Sequence, residues 1–455
     1  MIQSDRIQVL NDAPVRDGRF VLYWMQQSQR AEYNHALEYA VRQANEQKKP
    51  LVVGFALFER YPEANLRHYA FMLEGLLETE AALQKLGIRM IVRKGHPSKT
   101  ISEIGKQAAS IVCDRGYLRH QSQWRTEVAR YAECRVVQVE SDVVVPVATA
   151  SDKAEYAAHT IRRKIHSRID ACLKPVTRIA PHQSSLSMDV ESIHLTDADS
   201  VLKDLNINRR IGPVTRFFKG GTSEAKKRFR RFLTGHFDQY QHLRNQPQTD
   251  VTSRMSPYLH FGQISPVWIA LQIQSATNGN TSDKQAYLEE LIVRRELAIN
   301  FVHYSEAYDR YECLPKWART TLETHRTDRR ETVYTKKRLE TADTHDPYWN
   351  AAMNEMKHTG YMHNYMRMYW GKKILEWSES SETAWQTALE LNNRYFVDGR
   401  DPNSYAGIGW VFGLHDRPWK ERPVFGMVRY MAASGLERKC DIRGYVRKVE
   451  GLMAR

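Results

Sequence analysis

Phe20-Val21-Leu22-Tyr23-Trp24-Met25 is an uninterrupted apolar run, and the chain leaves it through Gln26-Gln27-Ser28-Gln29-Arg30 without a single glycine. A short run rich in β-branched and aromatic side chains reads as a strand buried on both faces. Four more runs of this kind follow, at 51–58, 88–93, 109–114 and 135–140. Between them, segments such as 31–46 and 67–86 repeat apolar residues at helical spacing. Strand and helix alternating in this way predict a doubly wound parallel sheet. No Gly-x-Gly-x-x-Gly follows the first strand, so the dinucleotide fingerprint is absent and the sheet need not carry the main chemistry.

Outward from this unit the character of the chain changes. Residues 176–222 hold Pro, Ser, Asn and Gly clusters with little periodicity and read as an extended connection. From Gly220-Gly221-Thr222-Ser223-Glu224 onward the pattern is helical almost throughout, with a capping hydroxyl ahead of 225–233 and long helices expected over 266–274, 284–305, 358–377 and 382–391. The expected organisation is an α/β unit over 1–175, a linker over 176–222 and an all-α unit over 223–455.

The 455 residues carry 67 Lys plus Arg against 53 Asp plus Glu, a net charge of +14. Residues 1–150 hold 20 basic and 17 acidic side chains, leaving 67 − 20 = 47 against 53 − 17 = 36, or +11, for the rest. A polyanionic partner therefore belongs with the C-terminal two thirds. The apolar runs fall far short of the ~20 residues a bilayer needs, and no apolar stretch follows a basic N-terminus. An intracellular protein without membrane spans is expected. Cys113, Cys134, Cys172, Cys313 and Cys440 are odd in number and far apart, which argues for reduced thiols and against a disulfide framework or a cysteine zinc site.

Three segments carry chemistry. Thr252-Ser253-Arg254-Met255-Ser256-Pro257 places three hydroxyls and an Arg before a proline suited to the first turn of a helix, a peptide able to present N–H groups to a pyrophosphate or simply a decorated helix start. Six of the ten tryptophans, Trp349, Trp370, Trp377, Trp385, Trp410 and Trp419, fall within 71 residues. Trp370 and Trp377 share one helix face, with Arg367 on the same face. Aromatics at this spacing are usually core, yet a row of indoles also relays an electron or stacks bases. The third segment, 392–410, runs Asn392-Asn393-Arg394 to Asp398-Gly399-Arg400-Asp401-Pro402-Asn403 and ends on Trp410. It packs amides and carboxylates closely enough to suit a polar heterocycle, although Asp-Gly and Asp-Pro-Asn are also ordinary turn sequences. No convincing metal-ligand spacing accompanies these segments.

Taken in order, together with Glu289-Glu290-Leu291-Ile292-Val293-Arg294 and Tyr365-Met366-Arg367-Met368-Tyr369-Trp370, these segments resemble the photolyase and cryptochrome superfamily, and within it the class II cyclobutane pyrimidine dimer photolyases. The resemblance covers nearly the whole chain. It implies a Rossmann-like antenna domain followed by a helical domain that binds FAD. Thr252, Ser253 and Ser256 would lie at the FAD phosphates, Arg367 and Asp398 would pair beside the isoalloxazine, and Asn392 would face its N5. Asp401 and Asn403 would complete the cofactor set. Trp370, Trp349 and Trp377 would relay electrons to the flavin, and Glu290, Met368 and Trp410 would contact the lesion. The implied reaction is redox-neutral: reduced FAD, excited by blue or near-UV light, lends an electron to a pyrimidine dimer flipped out of double-stranded DNA, and recovers it once the cyclobutane bonds have split. A monomer suits such a DNA-scanning enzyme.

Two positions depart from the family pattern. Arg294 stands where some members carry a lesion-wall tryptophan, which leaves Trp410 as that wall. Tyr33-Asn34 stands where members often show Asp-Asn, which leaves a second, light-harvesting chromophore open between a deazaflavin and a folate. The rival readings are a cryptochrome-type photoreceptor, disfavoured by the absence of a long tail beyond the helical unit, and a (6-4) photolyase, whose histidine pair cannot be picked from His260, His303, His363 and His415. A flavin-free nucleic-acid-binding protein is a third.

Overall fold

The structure, a computed structural model, describes residues 2–195 and 197–454. Its strands are β1 (Ile7–Val9), β2 (Phe20–Trp24), β3 (Leu51–Leu57), β4 (Arg89–Lys94), β5 (Ala108–Asp114) and β6 (Arg135–Val139). They form one sheet in the order β1-β6-β5-β2-β3-β4, parallel except for β1 against β6. The five expected strands are present. β1 escapes the sequence pattern because it is three residues long and partly exposed, too short for its Ile7–Val9 alternation to stand out.

Period-two alternation divides the sheet's side chains between two layers. Val21, Tyr23, Val53 and Phe55 pack with α1 (His35–Glu46) and α2 (Leu66–Gln84), whereas Phe20, Leu22, Trp24 and Val52 pack with α3 (Pro97–Gly105) and α4 (Arg119–Tyr131). β2 and β5 are buried at every residue, as their unbroken apolar runs require.

The segment 176–222 has more to do than connect. Ser185 N–H donates to the Gly87 carbonyl, Ile193 N–H to the Val92 carbonyl, and the Val92 N–H to Ser192 Oγ, so the segment lies along β4 and satisfies an otherwise open sheet edge. Leu195, Val201, Leu202 and Leu205 then enter the core of the α1–α2 layer. Thr196 lies outside the described residues.

The remainder is helical. The elements that frame the site are α5 (Thr222–Gly235), α6 (Pro266–Ser275), α7 (Thr281–Leu288), α8 (Arg295–Tyr304), α9 (Pro347–Thr359), α10 (Asn364–Trp377), α11 (Ser381–Tyr395), α12 (Pro402–Val411) and α13 (Ile442–Met453). Three sequence expectations are corrected here. The stretch 284–305 is not one α-helix, because Glu289–Arg294 between α7 and α8 is π-helical, a form concentrated at functional sites. The stretch 358–377 is broken: Gly360, at φ +71, ends α9, and α10 restarts after His363. Thr222 does not cap α5. Gly221 stands at the cap, and the Thr222 hydroxyl donates to the Gln263 carbonyl.

Buried polar contacts clamp the α/β unit to the helices. From α2, the Arg67 guanidinium donates to the carbonyls of Gly212, Met356, Lys357 and Tyr395. From α8, the Glu296 carboxyl accepts the N–H groups of Val144 at 2.5 Å and Val145 at 3.2 Å.

Candidate functional site

The loop before the short helix Ser256–His260 opens the site. Arg254, at φ +53, pairs with Asp250 at 2.5 Å and lies 5.3 Å from the centre of the Tyr361 ring. Thr252 Oγ1 is 3.3 Å from the Tyr361 hydroxyl, and Ser253 Oγ is 2.7 Å from the Tyr287 hydroxyl. Ser256 is the first helical residue rather than the cap, which is Met255. Five residues sum to little macrodipole, so an anion here would be held by hydroxyls, N–H groups and Arg254.

Tyr361 passes the contact onward. The Arg367 guanidinium stands 5.6 Å from the Tyr361 ring centre and 3.8 Å from that of Phe396, and donates to both oxygens of Asp398 at 3.1 Å. Asp398 is 7% exposed and Arg367 24%, so a buried carboxylate has its counter-charge and that cation keeps one open side. Beyond Phe396, Trp370 follows with ring centres 6.5 Å apart.

The three tryptophans are contiguous. Trp349 on α9 donates its indole N–H to the Trp370 carbonyl at 3.0 Å, and its ring meets Trp377 edge-on with centres 5.7 Å apart. All three are buried, and the Trp370 indole nitrogen has no hydrogen-bond partner. Seven-residue spacing put Trp370 and Trp377 on one face; Trp349 from the neighbouring helix joins them.

The adjacent asparagines divide their tasks. Asn393 accepts from Asn392 Nδ2 and from the Arg400 N–H, each at 3.0 Å, and donates to Glu63 at 2.6 Å. Asn393 is therefore a structural pin, whereas the side-chain oxygen Oδ1 of the buried Asn392 has no hydrogen-bond partner among the described residues. Asp401 and Asn403 fall outside the contact chain from Thr252 to Trp377. Asp401 caps α12 and sits 3.2 Å from His260, and the exposed Asn403 turns its amide back on Asp401 at 2.8 Å.

The lesion candidates lie on different elements. Glu290, on the π-helical turn, receives Arg244 at 2.8 Å. Met368 is partly exposed on α10, one residue past Arg367. Trp410, also partly exposed, stands between two cations, with Lys372 Nζ 4.9 Å and the Arg429 guanidinium 5.4 Å from its ring centre. Lys372 is fully buried and donates to the Val411 carbonyl; burial lowers its pKa to about 7. Arg294 turns to Glu289 at 3.2 Å and forms no aromatic wall. Tyr361, Tyr287, Phe396 and Arg244 were not foreseen, since isolated aromatics and a lone Arg give no spacing signal. The four histidines take separate partners: His260 with Asp401, His303 with Arg115, His415 with the Tyr156 carbonyl, and His363 as the cap of α10.

An apolar cavity opens where the strand order reverses between β2 and β5. It is lined by Trp24, Phe55, Phe58, Tyr61 and Trp124, with His260 and Arg400 at a polar end. Ligands of doubly wound sheets bind at such switch points.

The chain is 46% identical to the deoxyribodipyrimidine photo-lyase of Methanothermobacter thermautotrophicus, over 100% of both chains. It belongs to the DNA photolyase family. The family's DNA photolyase profile matches residues 21–182. The deoxyribodipyrimidine photo-lyase of Potorous tridactylus is 38% identical over 94% of this chain and 81% of its own. A class III photolyase from Agrobacterium tumefaciens superposes with a TM-score of 0.72 at 17% identity, covering 96% of this chain and 88% of that one. At that identity the last likeness concerns the fold: the family's α/β and helical units, arranged as described above.

Proposed function

We propose that this photolyase-family enzyme repairs cyclobutane pyrimidine dimers in DNA under blue or near-UV light, with FAD bound among the helices. The observation that carries the proposal is the unbroken contact chain from Thr252 through Tyr361, Arg367–Asp398 and Phe396 to Trp370, Trp349 and Trp377. Its donor set fits a flavin dinucleotide. Hydroxyls and an Arg at one end suit a pyrophosphate, a guanidinium–carboxylate pair and the open oxygen of Asn392 suit the polar edge of an isoalloxazine, and the orphaned Trp370 N–H leaves a donor for it.

When bound and reduced, the flavin supplies the photoexcited electron that splits the dimer and takes it back. The protein supplies position and environment. Thr252, Ser253, Ser256 and Arg254 anchor the phosphates. The Arg367 cation, fixed by Asp398, favours negative charge at the ring's polar edge and is held rigid by stacking on Phe396. Trp370, Trp349 and Trp377 form the path by which electrons reach the ring position, with Trp370 nearest. Glu290 offers its carboxylate, steadied by Arg244, to a thymine N–H, while Met368 and Trp410 give the extruded bases apolar surface. The excess positive charge after residue 150 holds the DNA phosphates. The cavity at the switch point suits an auxiliary planar chromophore as light harvester.

FAD content of the purified protein tests the cofactor assignment. Wild-type protein is expected to copurify with, or load, one flavin per chain, and Asp398→Ala to lose it because Arg367 is left uncompensated. Full flavin retention by Asp398→Ala, or wild-type protein that cannot be loaded, would overturn it.

A further inference from the structure

A second cavity, of about 660 Å³, lies on the far side of α4 from the apolar one. Its walls come from Gln8–Asp12 along and after β1, from Arg115–Tyr117 after β5, from one face of α4 (Ser122, Arg125, Thr126, Ala129 and Arg130), and from His303 of α8. This volume is in the range of small-molecule sites, and its lining is polar.

Arg125 is its unusual member. The side chain is 5% exposed, yet among the described residues it makes no ion pair. Nε donates to Gln138 Oε1 at 2.8 Å, and Nη1 to Gln26 Oε1 at 3.0 Å and to the Gln121 carbonyl at 3.2 Å. Nη2 has no acceptor among the described residues. The nearby carboxylates are committed elsewhere: Asp114 accepts the N–H groups of Gln26, Gln27 and Ser28 and the Tyr23 hydroxyl, and Glu140 takes Arg115 at 3.1 Å and Tyr117 at 2.6 Å. Asp12, which is exposed, is the only acid among the described residues that line the cavity.

Burying a guanidinium is costly unless its donors are filled: the equally buried Arg67 spends its Nε, Nη1 and Nη2 on four carbonyls, whereas Arg125 leaves Nη2 open. Here two hydroxyls, Ser122 and Thr126, flank Arg125 on the same helix face, Arg130 stands one turn further on, and Arg115 turns its Nη2 toward the cavity wall at His303. His303 is exposed at the rim, where partial desolvation and the Arg115 charge lower its pKa, so it adds a ring donor or acceptor without charge. A fork of guanidinium donors with hydroxyls beside it is the chemistry that recognises phosphate.

We propose that this cavity is a binding site for a small phosphate-bearing ligand of up to nucleotide size, with Arg125 as its buried counter-charge. The site is separate from the flavin chain and does not depend on the flavin assignment. It also differs from the apolar cavity, which lies across α4 and offers mainly aromatic surface.

Thermal unfolding of the flavin-loaded protein with increasing AMP provides the test, because a ligand of the native state raises Tm with its concentration. Wild-type protein is expected to be stabilised, and Arg125→Met to bind AMP roughly tenfold more weakly or worse, in line with loss of a charge-assisted hydrogen bond. Ser122→Glu places a carboxylate three residues from Arg125 on the cavity face, so it is expected to raise Tm without ligand and to abolish the AMP response. It also decides the matter if Arg125→Met does not fold. No shift in the wild type, an equal shift in Arg125→Met, or an undiminished shift in Ser122→Glu would each overturn the proposal. An undamaged duplex titrated in parallel separates a free phosphate ester from DNA backbone phosphate. Loss of duplex affinity in Arg125→Met without any AMP effect would also overturn it.

Discussion

At the scale of single residues, the indole of Trp370 is where sequence and structure meet most closely. It is 1% exposed, its nitrogen is unpaired, and its carbonyl holds Trp349 in line with Trp377. Trp370→Phe keeps most of the packing but removes an oxidisable indole from the path. The variant is expected to lose photoreduction of oxidised flavin, seen as a constant absorption spectrum under blue light, while repair proceeds normally once the flavin is reduced chemically. Normal photoreduction would refute the relay. Glu296 offers a test of a different kind. Burial raises its pKa from 4.5 to about 8, against the opposing pull of the Val144 N–H. The folded state therefore holds a proton that the unfolded chain releases, and stability contributed by the neutral form falls as pH rises from 4.5 toward 8. Glu296→Gln should flatten this part of the Tm–pH curve, and an unchanged slope would show that Glu296 does not titrate there.

At the scale of elements, most of what could be read from the sequence was periodicity. The five parallel strands announced themselves because burial on both faces demands unbroken apolar runs, and the helices because one face is apolar. Breaks within helices were the harder part. The π-helical turn at Glu289–Arg294 leaves apolar periodicity nearly intact, so a single helix over 284–305 was the natural expectation. The break at Gly360 did carry a signal, a glycine followed by a change of face, but the flanking apolar residues masked it. That break matters for the site because it places Tyr361 between Thr252 and Arg367. A Cβ on Gly360 would come within 2.5 Å of Val397 Cγ2 and would have to adopt φ +71. Gly360→Ala is expected to cost about 1–3 kcal/mol, read as a lower Tm, and to release flavin faster as Tyr361 shifts. A variant with unchanged Tm would mean that the turn relaxes freely.

At the scale of the whole molecule, the division into an α/β unit and a helical unit was legible, and the role of the segment between them was not. Its Ser and Pro content looked like a passive linker, but its N–H and hydroxyl groups are what close the β4 edge. The site candidates were legible through the ordered resemblance of motifs more than through composition. Only the structure shows that Arg367 and Asp398 pair, that Asn393 is a pin beside Asn392, and that Asp401 and Asn403 serve the start of α12. The nearly neutral first third and the +11 of the remainder place most of the excess positive charge in the same part of the chain as the site candidates. The most direct measurement is repair of an oligonucleotide containing a single cyclobutane pyrimidine dimer by flavin-loaded, chemically reduced protein, assayed in blue light and in the dark. Restoration of the intact pyrimidines in the light and none in the dark is the predicted result, and absence of repair under illumination would contradict the account.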